Sequence, residues 1–269
     1  MNDESKAPKD PKEELPEGTL ISHLLELRNR LMKAMIAVLI AFIPCAVYSN
    51  KLFALIAEPL ERKLPKNSHL IATDVLAPFM TPFKLSLYVA VFIAMPYVLY
   101  QVWAFVAPGL YRHEKRFALP LTVSSIVLFY CGIAFAFFAV FPVVFQFMVQ
   151  TTPTGVEMMT DINSYLAFVM RMFLAFGVAF EAPVAVVLLV ISGLVSIEKL
   201  KSNRGYVIIA IFVAAAALAP PDSISMLIMA VPMCGLYELG LIFAGLALKA
   251  RREREKKEEE AALEKKKDE

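Results

Sequence analysis

Charged residues are absent from long stretches of this sequence. Only 19% of its 269 residues are Asp, Glu, Lys or Arg, whereas 58% are hydrophobic. Four uncharged runs, each of 17 to 40 residues, account for this excess: 34–50, 85–111, 117–156 and 205–221. A bilayer core requires ~20 apolar residues in a helix, and backbone polar groups cannot stay unpaired in lipid. The sequence therefore predicts an all-α integral membrane protein.

Residues that carry catalysis or bind metals are also scarce. None of the three histidines lies in an uncharged run, which argues against haem between helices and against an intramembrane protease. No P-loop or Gly-x-Ser-x-Gly motif is present. Cys45, Cys131 and Cys234 have no metal-ligand spacing, and we expect each to be a small buried hydrophobe. The sequence predicts no enzyme, no cofactor and no metal, so energy must come from a partner or a membrane gradient.

Six transmembrane helices are predicted, with both termini on the cytoplasmic side. The spans are about 31–49, 85–106, 117–145, 163–191, 205–220 and 223–248. The side with the termini carries 21 of the 27 Lys and Arg residues, as is typical of cytoplasmic loops. The fifth span is short, at ~21 Å, so the bilayer must thin beside it or longer helices must surround it. Prolines recur within or beside the spans and predict bent helices in a concave bundle.

The same pattern predicts three regions. Residues 1–18 are polar and proline-containing, and we expect a disordered cytoplasmic N-terminus without a cleavable signal. Residues 19–248 are predicted to form the membrane domain, in which 50–84 is a structured helical cap on the periplasmic side. Residues 249–269 are predicted to be a charged cytoplasmic tail, either a solvated helix or a disordered segment near anionic lipid.

Two short charged segments lie at the edges of apolar spans on the side assigned to the cytoplasm. Just before the first span, His23, Glu26 and Arg30 share one stripe of an amphipathic helix. Glu26 and Arg30 have the i,i+4 spacing of a local ion pair, which contributes ~0.3–0.5 kcal/mol. In the 107–116 loop, Glu114 also has basic neighbours. Alternatively, the two carboxylates bind a cationic ligand, and a guanidinium is the natural one because it forms two parallel hydrogen bonds with a carboxylate.

Three other acidic residues are candidate functional groups within or beside the membrane. Glu181 has nine uncharged residues before it and sixteen after it. An ionisable group at that depth is functional unless it is a neutral, hydrogen-bonded carboxyl that fixes helix packing, and both alternatives stay open. Asp222 follows two prolines and is expected to cap the sixth span. Glu238 lies ~24 Å farther along that span, either in the membrane or near the headgroups. Arg171, inside span four, is expected to snorkel to the outer surface.

The chain resembles TatC, the polytopic subunit of the twin-arginine protein translocase, over roughly residues 19–248. The matching segments are His23-Leu-Leu-Glu26-Leu-Arg28-Asn-Arg30-Leu31, Ala72-Thr-Asp-Val75, Pro78-Phe79, Tyr100 to Tyr111, His113-Glu-Lys-Arg116, Ala175-Phe-Gly177, Phe180-Glu-Ala-Pro183 and Pro220-Pro-Asp222. One departure is Ala77, where the family often has serine. So many motifs in the same order make the resemblance specific.

This resemblance implies a receptor that binds Arg-Arg signal peptides at the cytoplasmic face of a bacterial-type inner membrane. With TatA- and TatB-type single-span partners, it would export folded proteins using the proton-motive force. Glu26 and Glu114 would form the acidic site for the two arginines. The basic residues around that site would be Arg28, His113 and Arg116. The resemblance also implies a homo-oligomeric receptor complex, and we expect no nucleic-acid partner.

Within the membrane, the resemblance makes Glu181 the polar group of the concave face, and spans five and six the docking place of the partners. The alternative from another class is a small-solute or ion secondary transporter with Glu181 in its pathway. Such a transporter predicts matching helix patterns in the two halves of the chain. The sequence has no such repeat, because the fifth span is much shorter than the first three.

Overall fold

Helices make up nearly all of the described chain, and this confirms the predicted all-α membrane fold. The computed structural model describes residues 17–61, 70–110, 118–153, 159–218 and 223–267. The helices are α1 (Glu17–Val47), α2 (Ser49–Glu61), α3 (Ala77–Leu110), α4 (Ala118–Phe135), α5 (Phe141–Thr151), α6 (Ile162–Ala179), α7 (Ala182–Ile191), α8 (Ile197–Ser202), α9 (Arg204–Leu218) and α10 (Ser223–Lys267). Two short strands, β1 (Leu70–Ile71) and β2 (Thr160–Asp161), pair in parallel.

Five described segments are long and apolar enough to cross a bilayer. They are Ser22–Val47, Ala77–Val106, Pro120–Thr151, Ile162–Ile191 and Met226–Glu253. The remaining predicted span corresponds to α9, which is apolar but has only 15 residues. A helix of that length is ~22 Å long, shorter than the ~30 Å hydrocarbon layer. The fifth span is therefore as short as its sequence indicates.

Two helices extend well beyond the predicted spans. α1 begins at Glu17, so the amphipathic segment and the first span form one continuous helix. α10 has 45 residues and continues to Lys267, so the charged region is helical from Lys249 to that point. Most of the predicted disordered N-terminus, 1–18, lies outside the described residues.

Side-chain contacts fix how the helices alternate in direction. Near its end, α1 approaches the start of α3, where the Ser86 hydroxyl donates to the Cys45 carbonyl at 2.9 Å. Closer to the start of α1, Arg30 contacts Gln101, which lies towards the end of α3. The two helices are therefore antiparallel. We call the side where α1 begins and α10 ends the termini side, and the opposite side the far side.

Prolines interrupt two of the membrane-crossing segments. Between α4 and α5, residues Ala136–Val140 form a π-helical turn, just before Pro142. Between α6 and α7, the chain makes a turn at Phe180 and Glu181, just before the buried Pro183. Proline has no N–H to continue the helical hydrogen bonds, which explains both positions. The second interruption places a carboxylate at a helix junction inside the membrane segment.

The largest apolar core surrounds α6. It brings together side chains from seven of the described helices: α2, α3, α4, α5, α6, α9 and α10. Phe129 on α4 and Phe176 on α6 are almost completely buried, and the helices approach closely at Gly132 and Gly177. A second cluster joins α3, α4 and α7, and a third joins α7 to α10. This packing places the α6–α7 junction within the bundle.

One cysteine prediction is wrong. Cys45 is buried as expected, Cys234 is half-buried, and Cys131 is exposed on the surface of α4. Free cysteines are usually buried in water-soluble proteins, and the prediction extended that tendency to a membrane protein. In a bilayer the lipid tails are as apolar as the core, so a small apolar side chain gains little from facing inwards.

On the far side, Asp161 ties the predicted cap to the start of α6. Its carboxylate accepts the Ser164 backbone N–H at 2.9 Å, as an N-cap, and the Thr73 hydroxyl at 2.8 Å. These hydrogen bonds lower the pKa of Asp161 from 3.8 to about 2. Within the expected 50–84 cap, residues 62–69 lie outside the described part. The remainder contains α2, β1 and the start of α3.

Replacing Asp161 by alanine is expected to destabilise the protein by ~1 kcal/mol, the usual cost of losing a helix N-cap. The folded pKa lies below the unfolded one. The carboxylate's contribution is therefore complete above pH ~4 and is lost as the pH falls towards 2. Thermal unfolding in detergent checks both points. Asp161→Asn, which can still cap but cannot ionise, should lie between the wild type and Asp161→Ala and lose this pH dependence. Identical melting of all three proteins would contradict the assignment.

Candidate functional site

The start of α1 and the end of α3 form a polar site on the termini side. Glu26 Oε1 accepts two hydrogen bonds from Arg30, one from Nε at 2.9 Å and one from Nη2 at 2.6 Å. Arg30 Nη1 also donates to Oε1 of the buried Gln101 at 3.4 Å. The predicted local ion pair is therefore present, and a residue on the neighbouring helix holds its cation. Among the described residues, nothing donates a hydrogen bond to the second oxygen of Glu26, Oε2.

The polar stripe of α1, not its leucine stripe, faces the rest of the protein. The His23 ring stacks on Phe105 of α3, with ring centroids 4.3 Å apart. Seven residues after His23, Arg30 donates a hydrogen bond to Gln101, which also lies on α3. By contrast, Leu24 and Leu31 are 63% and 64% exposed. Lipid can cover the exposed leucines. The polar side chains of α1 instead contact α3, where they are kept away from lipid.

An open depression of about 460 Å³ lies along this part of α1. Its lining residues are Ser22, Leu25, Glu26, Asn29, Arg30 and Lys33. The Glu26 side chain is 39% exposed and that of Arg30 is 24% exposed, so the carboxylate can be reached by a ligand. Arg28, which was predicted to belong to the site, is exposed and is not among the lining residues.

The second half of the predicted acidic site lies outside the described residues, and this applies to His113, Glu114 and Arg116. The described chain nevertheless fixes where their connection starts and ends. α3 ends at Leu110 and α4 begins at Ala118, and both ends lie on the termini side. Five residues before Leu110, Phe105 contacts His23. The connection therefore begins ~8 Å along α3 from the level of His23.

Glu181 lies at the junction of α6 and α7, and its carboxylate oxygens are buried. Both of its oxygens are inaccessible to solvent, and no described group forms a hydrogen bond with either. The Ser125 hydroxyl on α4 interacts with this carboxyl, but it too lacks a bond of good geometry. Buried polar groups in proteins are nearly always paired, so this carboxyl is a candidate for a partner outside the chain.

Glu238 lies where α10 passes the start of α9. Its carboxylate pairs with Arg204 at 2.8 Å, and both side chains are more than 40% exposed. The next residue before it, Tyr237, donates to the Leu200 carbonyl at 2.9 Å. Of the two depths considered for Glu238, these contacts support the one near the termini-side boundary. Asp222, the expected cap of the sixth span, lies outside the described residues.

Sequence reasoning missed Gln101 as a residue of the candidate site. It lies within an uncharged run of 27 residues and carries no charge. The signal that could have found it is its polarity, because polar side chains are uncommon within an apolar span. Only the antiparallel packing of α1 and α3 brings it to Arg30.

Comparison with known proteins accounts for this combination of a membrane bundle and a polar termini-side site. Residues 22–232 match the family model described as Sec-independent protein translocase protein (TatC). The chain belongs to the TatC family. It is therefore a component of the Tat protein translocase. TatC proteins are receptors and not enzymes. Membership also argues against the alternative of a secondary transporter.

Individual TatC proteins are similar over most of their length. The one from Haemophilus influenzae is 50% identical over 225 residues, which cover 84% of this chain and 88% of that protein. The one from Escherichia coli K12 is 49% identical over 236 residues, covering 88% and 92%. A crystal structure of the twin-arginine translocase receptor TatC is 36% identical, with a TM-score of 0.77 and coverage of 84% and 99%. The TatC resemblance found in the sequence is thus confirmed.

Proposed function

We propose that the depression along α1 is where this TatC protein binds the two arginines of a signal peptide. The observation that carries the proposal is Oε2 of Glu26, to which no described residue donates, next to an oxygen that already binds one guanidinium. A second guanidinium can donate to Oε2 without displacing Arg30. The polar side chains of Ser22 and Asn29 border the same depression and supply further hydrogen-bonding groups.

Glu114 is proposed as the acceptor for the other arginine of the pair. The α3–α4 connection that carries it leaves α3 on the termini side, close to the level of His23. Two arginines require two acceptors, and each hydrogen bond to a charged group contributes ~1.5–3 kcal/mol. A lysine ammonium cannot form the forked pair, so a Lys-Lys peptide should bind more weakly. Arg28, His113 and Arg116 would keep the empty site hydrated and electrically balanced.

The proposed orientation places the termini side in the cytoplasm of a bacterial-type inner membrane. Its basis is the Lys and Arg bias towards that side. Folded proteins would cross with the help of TatA- and TatB-type single-span partners and the proton-motive force. These partners would dock on α9 and α10, and several copies of the chain would assemble into the receptor complex.

Photo-cross-linking from α1 tests the site and its orientation. In inverted inner-membrane vesicles, photoreactive residues at Ser22 and Asn29 are expected to capture an added Arg-Arg signal peptide several-fold more efficiently than those at Leu24 and Leu31. The latter two positions lie on the same helix but face away from the depression. A Lys-Lys peptide should lose this preference. Equal capture from the two pairs of positions would contradict the proposal.

Glu181 is proposed to bind a polar group of a single-span partner, because no described residue forms a hydrogen bond of good geometry with its carboxylate. Docking of the partner would have to uncover the two oxygens, which the bundle covers. Glu181→Ala is expected to reduce co-purification of that partner several-fold. Glu181→Gln should retain most of it, since an amide can still form hydrogen bonds. Ser125→Ala, which removes a buried hydroxyl that interacts with the carboxyl but leaves the carboxylate in place, is the control and should have little effect. Full partner recovery and normal export with Glu181→Ala would rule out this role.

A further inference from the structure

Arg171 is a charged residue that the proposed receptor function does not use. It lies on α6, nine residues or ~14 Å from the far-side end of that helix. The side chain is exposed on the surface of the bundle. Its Nε donates to the Ala167 carbonyl at 3.1 Å, so the guanidinium bends towards the far side. Within the described part of the chain, no carboxylate pairs with it.

A charge in this position would be costly if the surrounding hydrocarbon layer had its usual thickness. Arginines within membrane segments normally face a polar cavity or pair with another charge, or else their side chains reach the headgroups. The local thickness of the bilayer therefore decides what surrounds Arg171. The short helix α9, which packs against α6, gives a measure of that thickness.

The contacts of α9 show how deep its two ends lie. Its first residue, Arg204, pairs with Glu238 on α10. Two residues later on α10, a Cβ added to Gly240 would lie 3.0 Å from the Cα of Pro183. α9 therefore starts near the level of Pro183. Its 15 residues rise ~22 Å, and the same rise from Pro183 back along α6 leads to about Phe168.

The far end of α9 and the guanidinium of Arg171 are thus at nearly the same depth. Most side chains of α9 are exposed, and only Ala215 is buried, so lipid rather than a longer helix covers much of it. We expect the bilayer beside this ~22 Å helix to thin, because exposing its polar ends to hydrocarbon is unfavourable. The far-leaflet headgroups beside α9 should then reach the level of Arg171.

We propose that the Arg171 guanidinium binds the phosphate group of a far-leaflet phospholipid in this thinned region. Its two Nη groups, which bond to no described residue, can donate in parallel to two phosphate oxygens. The bound lipid would keep the far-leaflet headgroups at the depth of the far end of α9. Arg171 would in this way stabilise the local thinning that the short helix requires.

A lipid phosphate explains the observed geometry better than a carboxylate on a partner helix. The guanidinium turns towards the far-side headgroups, not towards the middle of the bilayer. A partner's carboxylate at this depth would itself have to be taken out of water before pairing. The phosphate, by contrast, is present in every phospholipid and needs no second protein.

Photoactivatable lipids test the proposal in nanodiscs of phosphatidylethanolamine and phosphatidylglycerol that contain the full chain. One probe carries the reactive group in the headgroup, and the other at the end of an acyl chain. In the wild type, the headgroup probe is expected to label residues around Ala167 and Arg171 more than the acyl-end probe does. Arg171→Gln should reduce headgroup labelling there roughly ten-fold, in line with the loss of a charged hydrogen-bonded pair. Arg171→Lys should keep part of it.

Lys84→Ala is the matched control, because Lys84 is a far-side cation whose amino group already bonds Asn163 at 3.2 Å. Labelling near Arg171 should be unchanged in that variant. Equal headgroup labelling in the wild type and Arg171→Gln would overturn the proposal. Loss of labelling on addition of inorganic phosphate would also overturn it, since the site would then take a soluble anion. So would an Arg171-dependent cross-link to an acidic residue of a single-span partner in place of the lipid.

Discussion

Glu26→Gln is expected to weaken binding of an Arg-Arg signal peptide by roughly 10- to 100-fold, the equivalent of about one charged hydrogen bond. The amide keeps the size of the side chain but loses the negative charge and one acceptor oxygen. The effect should appear in the dissociation constant of a fluorescent signal peptide for the purified protein in nanodiscs. The fold should change little, because a partly exposed ion pair such as that of Glu26 with Arg30 contributes ~1 kcal/mol or less.

Glu198→Gln is the matched control for that measurement. Glu198 is an exposed carboxylate in the first turn of α8, on the same side of the bundle. Removing it changes the net charge by the same amount without touching the α1 depression. If both variants weaken binding equally, the site recognises overall charge, and the specific role of Glu26 is wrong.

Gly132→Ala is expected to have the largest effect on stability. A Cβ at this position would lie 2.5 Å from the backbone oxygen of Phe176 and 3.0 Å from the Cα of Gly177. Backbone atoms cannot swing aside, so α4 and α6 would have to separate, at a cost of ~2 kcal/mol or more. The melting temperature in detergent should fall by at least roughly 5 °C. Because Phe176 lies just over one turn before Glu181, partner binding should fall as well.

Gly235→Ala is the control, and in the same melting experiment it is expected not to lower the stability. No atom lies within 4 Å of a Cβ at Gly235, which is inside α10. Alanine favours a helix over glycine by ~1 kcal/mol, so this variant should be as stable as the wild type or more stable. Equal losses of stability in the two variants would show that close approach of α4 and α6 does not determine the effect.

Several features of the fold followed from the sequence because they depend on local chemistry. Uncharged run lengths predicted the membrane helices, including the short helix that became α9. The i,i+4 spacing of Glu26 and Arg30 predicted their ion pair, and its geometry confirms it. Pro183 predicted a bend, and the chain turns at Phe180 and Glu181, just before it.

Other features depend on how distant segments meet, and a single sequence does not encode that locally. The bond from Arg30 to Gln101 joins residues 71 positions apart. The parallel pairing of β1 with β2 joins two-residue strands on separate far-side connections, each too short to give a periodic signal. The exposure of Cys131 depends on which face of α4 meets lipid. For Glu181, the sequence indicated its depth, whereas the packing shows that no described residue forms a hydrogen bond of good geometry with either oxygen.

The most direct test of the central claim measures two peptides against two proteins. Arg-Arg and Lys-Lys signal peptides are titrated into the wild type and Glu26→Gln, and the four dissociation constants form a double-mutant cycle. If Glu26 reads a guanidinium, the wild type should prefer the Arg-Arg peptide by roughly ten-fold or more, and this preference should fall several-fold in Glu26→Gln. An undiminished preference in Glu26→Gln would contradict the claim, because discrimination between the peptides would then arise elsewhere.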